Sequence, residues 1–110
     1  MPLEFGAVLL VRFPFTSQIK SKQRPAVAIS NRAYNDARPD IVLMAITTNL
    51  DPEFGLVQIK EWRTAGLFKP SAVKPIFATI EQTLIVRELG HLQADDKAAV
   101  RTAISEMLGS

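Results

Sequence analysis

The sequence predicts one β-rich α+β domain: a small, mostly antiparallel β-barrel or curled sheet with a single C-terminal amphipathic helix packed on it. Three observations carry that expectation. Short apolar runs rich in β-branched residues recur at 7–13, 25–30 and 41–47, each of strand length. Pro70 and Pro75 interrupt the next apolar stretch, which favours short edge or bent strands over any long regular element. Only 94–108 keeps a helical period, and several short strands followed by one helix suit a sheet with a single covering layer.

Each element has its own signal. Residues 7–13 are apolar apart from Arg12, as in a strand buried on both faces, and 25–30 and 41–47 read the same way. Between the last two, 31–39 carries Asn, Asp and Pro and is expected to be a turn or short irregular connection. A loop over 48–55 leads to a short strand at 56–59, and 60–66 is a polar connection with room for a helical turn. Residues 83–89 form another strand, ended by Gly90. In the helix, Val100, Ala103, Ile104, Met107 and Leu108 fall on one stripe. Asp95 and Asp96 suit the positive end of its dipole, and Gly109 supplies a stop.

At 110 residues the chain is one domain, 1–110, with a modest core. It has no cysteine and a single histidine, His91. That excludes disulfides, thiolate chemistry and a paired-histidine site, and no metal or other cofactor is expected. No apolar run approaches the roughly 20 residues that span a bilayer, and no secretory leader is recognisable, so a soluble cytoplasmic protein without a membrane partner is expected. The net charge is only +2, yet it is unevenly spread. Between Phe5 and Asn35 stand Arg12, Lys20, Lys22, Arg24 and Arg32 with no acid, leaving eight basic residues elsewhere against all 11 acidic ones. That asymmetry implies one basic face suited to a polyanion.

Arg24 is the leading functional residue. The residue before a proline is pushed toward extended geometry, so Pro25 should hold Arg24 at the lip of a strand, where a fixed guanidinium can stabilise a phosphate. Cleavage of RNA by its own 2′-hydroxyl needs the crowded phosphoryl oxygens neutralised and oriented. Thr47 and Thr48, at the end of the strand over 41–46, can offer hydroxyls for that purpose.

Four blocks then carry a resemblance: Phe13-Pro14-Phe15-Thr16, Arg24-Pro25-Ala26-Val27 with Ser30, Ile46-Thr47-Thr48-Asn49, and Gly66-Leu67-Phe68-Lys69-Pro70-Ser71. In this order and spacing, with Leu89-Gly90-His91-Leu92 and the final helix, the chain resembles the PemK/MazF family of toxins from Gly6 to Gly109. The resemblance implies an SH3-like barrel, a homodimer, and sequence-specific, metal-independent cleavage of single-stranded RNA. It also implies a cognate antitoxin whose flexible segment covers the RNA groove. By position, Arg24 and Thr47 match the family's catalytic pair. Lys20, Lys22, Thr48, Asn49, Lys69, Ser71 and Lys74 are the expected RNA-binding residues.

Two departures leave the general base open. Ile19 stands where many members carry a glutamate, and Ala78-Thr79-Ile80-Glu81 stands where others carry an Arg-Thr-Ile-Asp run. Glu81 is then the available acid, with Lys20 or Lys74 replacing some of the lost positive charge. Trp62 and Tyr34 can stack on bases, although rim packing is the simpler use of Trp62. Two rival readings stand beside the nuclease: a gyrase-targeting toxin of the same fold that acts by binding, and a member that binds antitoxin or RNA without cutting.

Overall fold

The structure, a computed structural model, describes residues 2–13 and 22–109. The elements are β1 (Ala7–Arg12), β2 (Gln23–Ala28), α1 (Arg32–Ala37), β3 (Asp40–Thr47), β4 (Val57–Gln58), β5 (Ala72–Glu81), β6 (Ile85–His91) and α2 (Ala94–Met107). A 3₁₀ turn at Gln82–Leu84 joins β5 to β6. The strands form one six-stranded sheet in the order β4-β5-β3-β2-β1-β6, and every pairing is antiparallel. The β-rich α+β class is the one the sequence predicts, but among the described residues the sheet is open, with no ladder joining its two edge strands.

Alternation along the strands builds two cores. Val8, Val27, Met44, Ile46 and Val73 face one way and meet Ile59, Ala65, Leu67, Leu92 and Val100, so α2 and the turn at 59–67 cover this outer face. The other face gathers Leu9, Val11, Ala26, Leu43 and Ile80, with Ile85 packed against them. Ile80 lies on β5 and Ile85 on β6, four steps apart in strand order. In a flat sheet they would stand about 19 Å apart at ~4.8 Å per step. Their shared cluster therefore requires a curled sheet whose inner face is covered by its own strands.

Three elements differ from the sequence expectation. Residues 31–39 contain α1, which Asn31 caps by accepting a hydrogen bond from the Tyr34 N–H at 2.9 Å. An asparagine before a helix-competent run is an N-cap as readily as a turn residue. β5 runs unbroken through Pro75 for 10 residues. Pro75 falls where the β3–β5 register slips between Met44 and Ile46, so its missing N–H takes no bond from the ladder. β6 continues through Gly90 to His91. There a Cβ would lie 2.6 Å from the Ala65 carbonyl oxygen, so Gly90 serves close packing of the 60–66 turn instead of ending the strand.

Buried polar groups fasten the connections. Ser30 Oγ donates to Asn35 Oδ1 and accepts from the Val42 N–H, while Asn35 Nδ2 donates to the carbonyls of Leu3 and Ser30. The buried Asp96 accepts from the N–H groups of Lys60 and Glu61, both at 3.0 Å, tying the first turn of α2 to the 60–66 turn. Among the described residues no helix is long and apolar enough to cross a membrane.

Candidate functional site

β2 and β3 bring the leading residues to one level. Their ladder ends where Ala26 pairs with Ala45; Arg24 and Thr47 each lie two residues beyond that pair and, by alternation, on its side of the sheet. Arg24 is exposed and also pairs with Val11 of β1. Thr47 closes β3 half-buried, and its Oγ1 accepts from the Asn49 N–H at 3.0 Å. That bond fixes the hydroxyl and leaves its proton to be donated elsewhere.

Alternation puts the residues next to this pair on the other side. Pro25 and Thr48 line a groove of about 330 Å³ on the outer face, together with Leu10, Leu67, Arg87 and Leu89. The floor is a cross-strand row: Pro25 pairs with Leu10, and Leu10 with Arg87. The wall is the segment 66–69 with Ser71. Gly66 permits it: its φ is +86°, and a Cβ there would lie 2.0 Å from the Leu89 carbonyl oxygen, closer than any side chain tolerates.

The expected RNA-binding residues separate. Thr48, Lys69 and Ser71 line the groove; Ser71 is buried and donates its hydroxyl proton to the Lys69 carbonyl at 2.8 Å. Asn49 is exposed, and its Oδ1 accepts from the Asp51 N–H at 3.0 Å, so it shapes its own loop. Lys22 is exposed beside the start of β2. Lys74 is half-buried on β5, outside the groove lining. Lys20, Ile19 and most of the 13–16 block lie outside the described residues.

Glu81 is not brought to the pair. It sits opposite Asp40 at the start of β3, whereas Thr47 ends that strand. Seven residues at ~3.4 Å each separate those levels by about 24 Å, too far for a proton transfer within one protomer. Ala78, where a relative's arginine would stand, packs against the inner core. Trp62 packs on the outer core with the Arg63 guanidinium 4.6 Å above its ring. Tyr34 carries Arg38 at 5.1 Å. His91 is exposed, with Nε2 2.8 Å from Glu88 Oε2.

Sequence reasoning missed Phe68 and Arg87. Phe68 is 90% exposed and lines the groove; an apolar residue before Lys-Pro gave no sign of that. Arg87 had a signal, since it is the lone cation inside the apolar run 84–89. The lining contains no carboxylate, and among the described residues no cluster of three or more His, Asp or Glu is arranged around a common point for a metal.

The site is thus a small curled sheet with exposed cations at its strand-end rim, Lys22 and Arg24, and a groove on its outer face. The family profile described as PemK-like, MazF-like toxin of type II toxin–antitoxin system matches residues 4–108, and the chain belongs to that family. No curated protein sequence matches it significantly. Among solved structures, the Deinococcus radiodurans MazF superposes with TM-score 0.80 at 18% identity, covering 100% of this chain and 99% of that one. The Mycobacterium tuberculosis toxin MazF-mt6 gives 0.77 at 21% identity over 91% and 93%. An endoribonuclease of a mycobacterial species, solved with its cognate antitoxin, gives 0.79 at 18% identity over 96% and 93%. At such identities these likenesses establish the shared fold.

Proposed function

We propose that this toxin is an endoribonuclease that cuts single-stranded RNA sequence-specifically and without a metal, and that it works as a homodimer restrained by a cognate antitoxin. The observation that supports it most is the β2–β3 pairing, beyond whose last pair Arg24 and Thr47 each lie two residues, in a chain of this family. In the reaction the 2′-oxygen attacks phosphorus, the bond from phosphorus to the 5′-oxygen breaks, and a 2′,3′-cyclic phosphate and a 5′-hydroxyl are left. Arg24 neutralises the phosphoryl oxygens as charge gathers on them, and the Thr47 hydroxyl donates to one of them. The 2′-hydroxyl gives up its proton as it attacks and the leaving 5′-oxygen takes one up; Glu81, at the far end of β3 from Thr47, serves neither step within one protomer.

Mapping cut sites and end groups on a long transcript tests this reading. Wild-type protein should leave cyclic phosphate and 5′-hydroxyl ends at a recurrent sequence. Arg24→Ala should slow cutting by about 10²–10³-fold, the cost of removing one transition-state donor. Undiminished cutting by a folded Arg24→Ala protein would refute it. A second reading, a member that binds without cutting, has one observation in its favour: Ala78 and the remote Glu81 offer no acid–base pair near Arg24. Intact RNA after prolonged incubation with wild type would establish that reading instead.

A further inference from the structure

Thr47 is the last residue of β3, where it pairs with Ala72, and residues 48–53 beyond it belong to no strand or helix. A side chain at such a boundary has several staggered settings open to it, and a hydroxyl donates usefully to a reacting group only when it is held in one. Two hydrogen bonds in series hold this one. The Asn49 N–H donates to Thr47 Oγ1, and the Asp51 N–H donates to Asn49 Oδ1, each at 3.0 Å. Capture of the amide two residues on is the local turn that threonine and asparagine side chains favour. Pro52 follows at once and presses Asp51 toward extended geometry. The segment from Thr47 to Pro52 is thus fastened by the β3–β5 ladder at one end, by a proline at the other, and by two side-chain turns between them.

We propose that Asn49 is a positioning residue for Thr47: by capturing the Asp51 N–H it holds its own backbone N–H on Thr47 Oγ1 and so keeps the hydroxyl proton aimed at the phosphoryl oxygen. The inference rests on the endoribonuclease reading and gives Asn49 a task that needs no contact with RNA. A threonine hydroxyl carries one proton and two lone pairs. With one lone pair committed to the Asn49 N–H, the O–H bond cannot point into that amide and turns away from the loop. The side chain at 49 must be short and must carry an acceptor. Asparagine reaches the amide two residues on, serine does so more weakly, and alanine has nothing to reach with.

The test compares Asn49→Ala and Asn49→Ser with wild type, and repeats Asn49→Ala in a Thr47→Val background. Single-turnover cutting of a defined single-stranded RNA is followed over a range of protein concentrations. In parallel, three-bond NMR couplings across the Thr47 Cα–Cβ bond report the χ1 setting of that side chain. Asn49→Ala should lower the maximal rate by about 5- to 50-fold with the half-saturating concentration unchanged, and Asn49→Ser should fall between it and wild type. In the Thr47→Val background the same change should cost less than about two-fold, because the hydroxyl it acts through is gone. A residue that only touches RNA raises the half-saturating concentration and keeps the maximal rate; that result overturns the proposal, and so does an equal loss in both backgrounds. Thr47 should hold one χ1 setting in wild type and average over more than one in Asn49→Ala. An unchanged single setting overturns the proposal whatever the rates. If wild type cuts no RNA, the nuclease reading fails separately, and the couplings alone decide whether Asn49 holds the hydroxyl.

Discussion

Asp96→Ala should destabilise this protein more than any surface charge change, although the residue lies in a helix that never reaches the proposed site. Asp96 is only 2% exposed, and each carboxylate oxygen accepts one backbone N–H, from Lys60 and from Glu61, at 3.0 Å. Removing the side chain strands both donors. A donor left without a partner costs about 1–3 kcal/mol, and loss of a negative charge from the first turn of α2 adds about 0.3–1 kcal/mol. Lys60 and Glu61 have exposed side chains, so water rescues part of this, and about 2–4 kcal/mol in total is expected. For a chain of this size that lowers Tm by about 10–20 °C. Asp96→Asn keeps one acceptor and should fall between. Thermal unfolding followed by circular dichroism measures both. A fall below about 3 °C for Asp96→Ala would show that the clamp is not what holds the 60–66 turn.

Thr47→Val keeps the shape of the side chain but removes the hydroxyl that holds the Asn49 N–H; we expect cutting to slow by roughly 10–10³-fold, and Thr47→Ser to retain most activity in single-turnover assays. EDTA should leave the cutting rate unchanged, and dependence on a divalent ion would point to other chemistry. The Arg38 guanidinium, hydrogen-bonded to Asp40, lowers that carboxyl below its ordinary value of 3.8. Its stabilisation is therefore present above the unfolded value and lost as pH falls through the folded one, so Asp40→Asn should lower Tm slightly at neutral pH and not in strong acid.

The strands over 7–13, 25–30 and 41–47 were legible because burial on both faces leaves a continuous apolar run, and the helix because one stripe of it is apolar. Pro75 was misleading because a proline disqualifies a strand only where its N–H is needed, and need depends on the register of a partner strand. Asn31 was ambiguous for a similar reason: turn and N-cap use the same side-chain acceptor, and the residues after it decide between them. In the candidate site, Arg-Pro and Thr-Thr mark Arg24 and Thr47 as strand-end residues because strand ends are local features. The groove is not legible in this way. Leu10, Phe68 and Arg87 come from three separate segments, and only the pairing of β1 with β2 and β6 puts two of them in one row.

Parity along the strands explains why neighbours in the sequence part company. Arg24 and Thr47 share the side of Val11 and Ala26, while Pro25 and Thr48 share that of Leu10. A one-residue slip of β2 against β1 would move Arg24 to the groove side and put Pro25 in its place. The cores forbid that slip: it would carry Val27 out of the cluster with Val8 and Met44, and Ala26 out of the cluster with Leu9. Packing that has no part in RNA chemistry thus decides which side of the rim carries the cation and which carries the groove. The same constraint bears on Glu81. Its place opposite Asp40 is set by Ile80 pairing with Ile41 in the inner core, which keeps that carboxylate at the far end of β3 from Thr47 within one protomer.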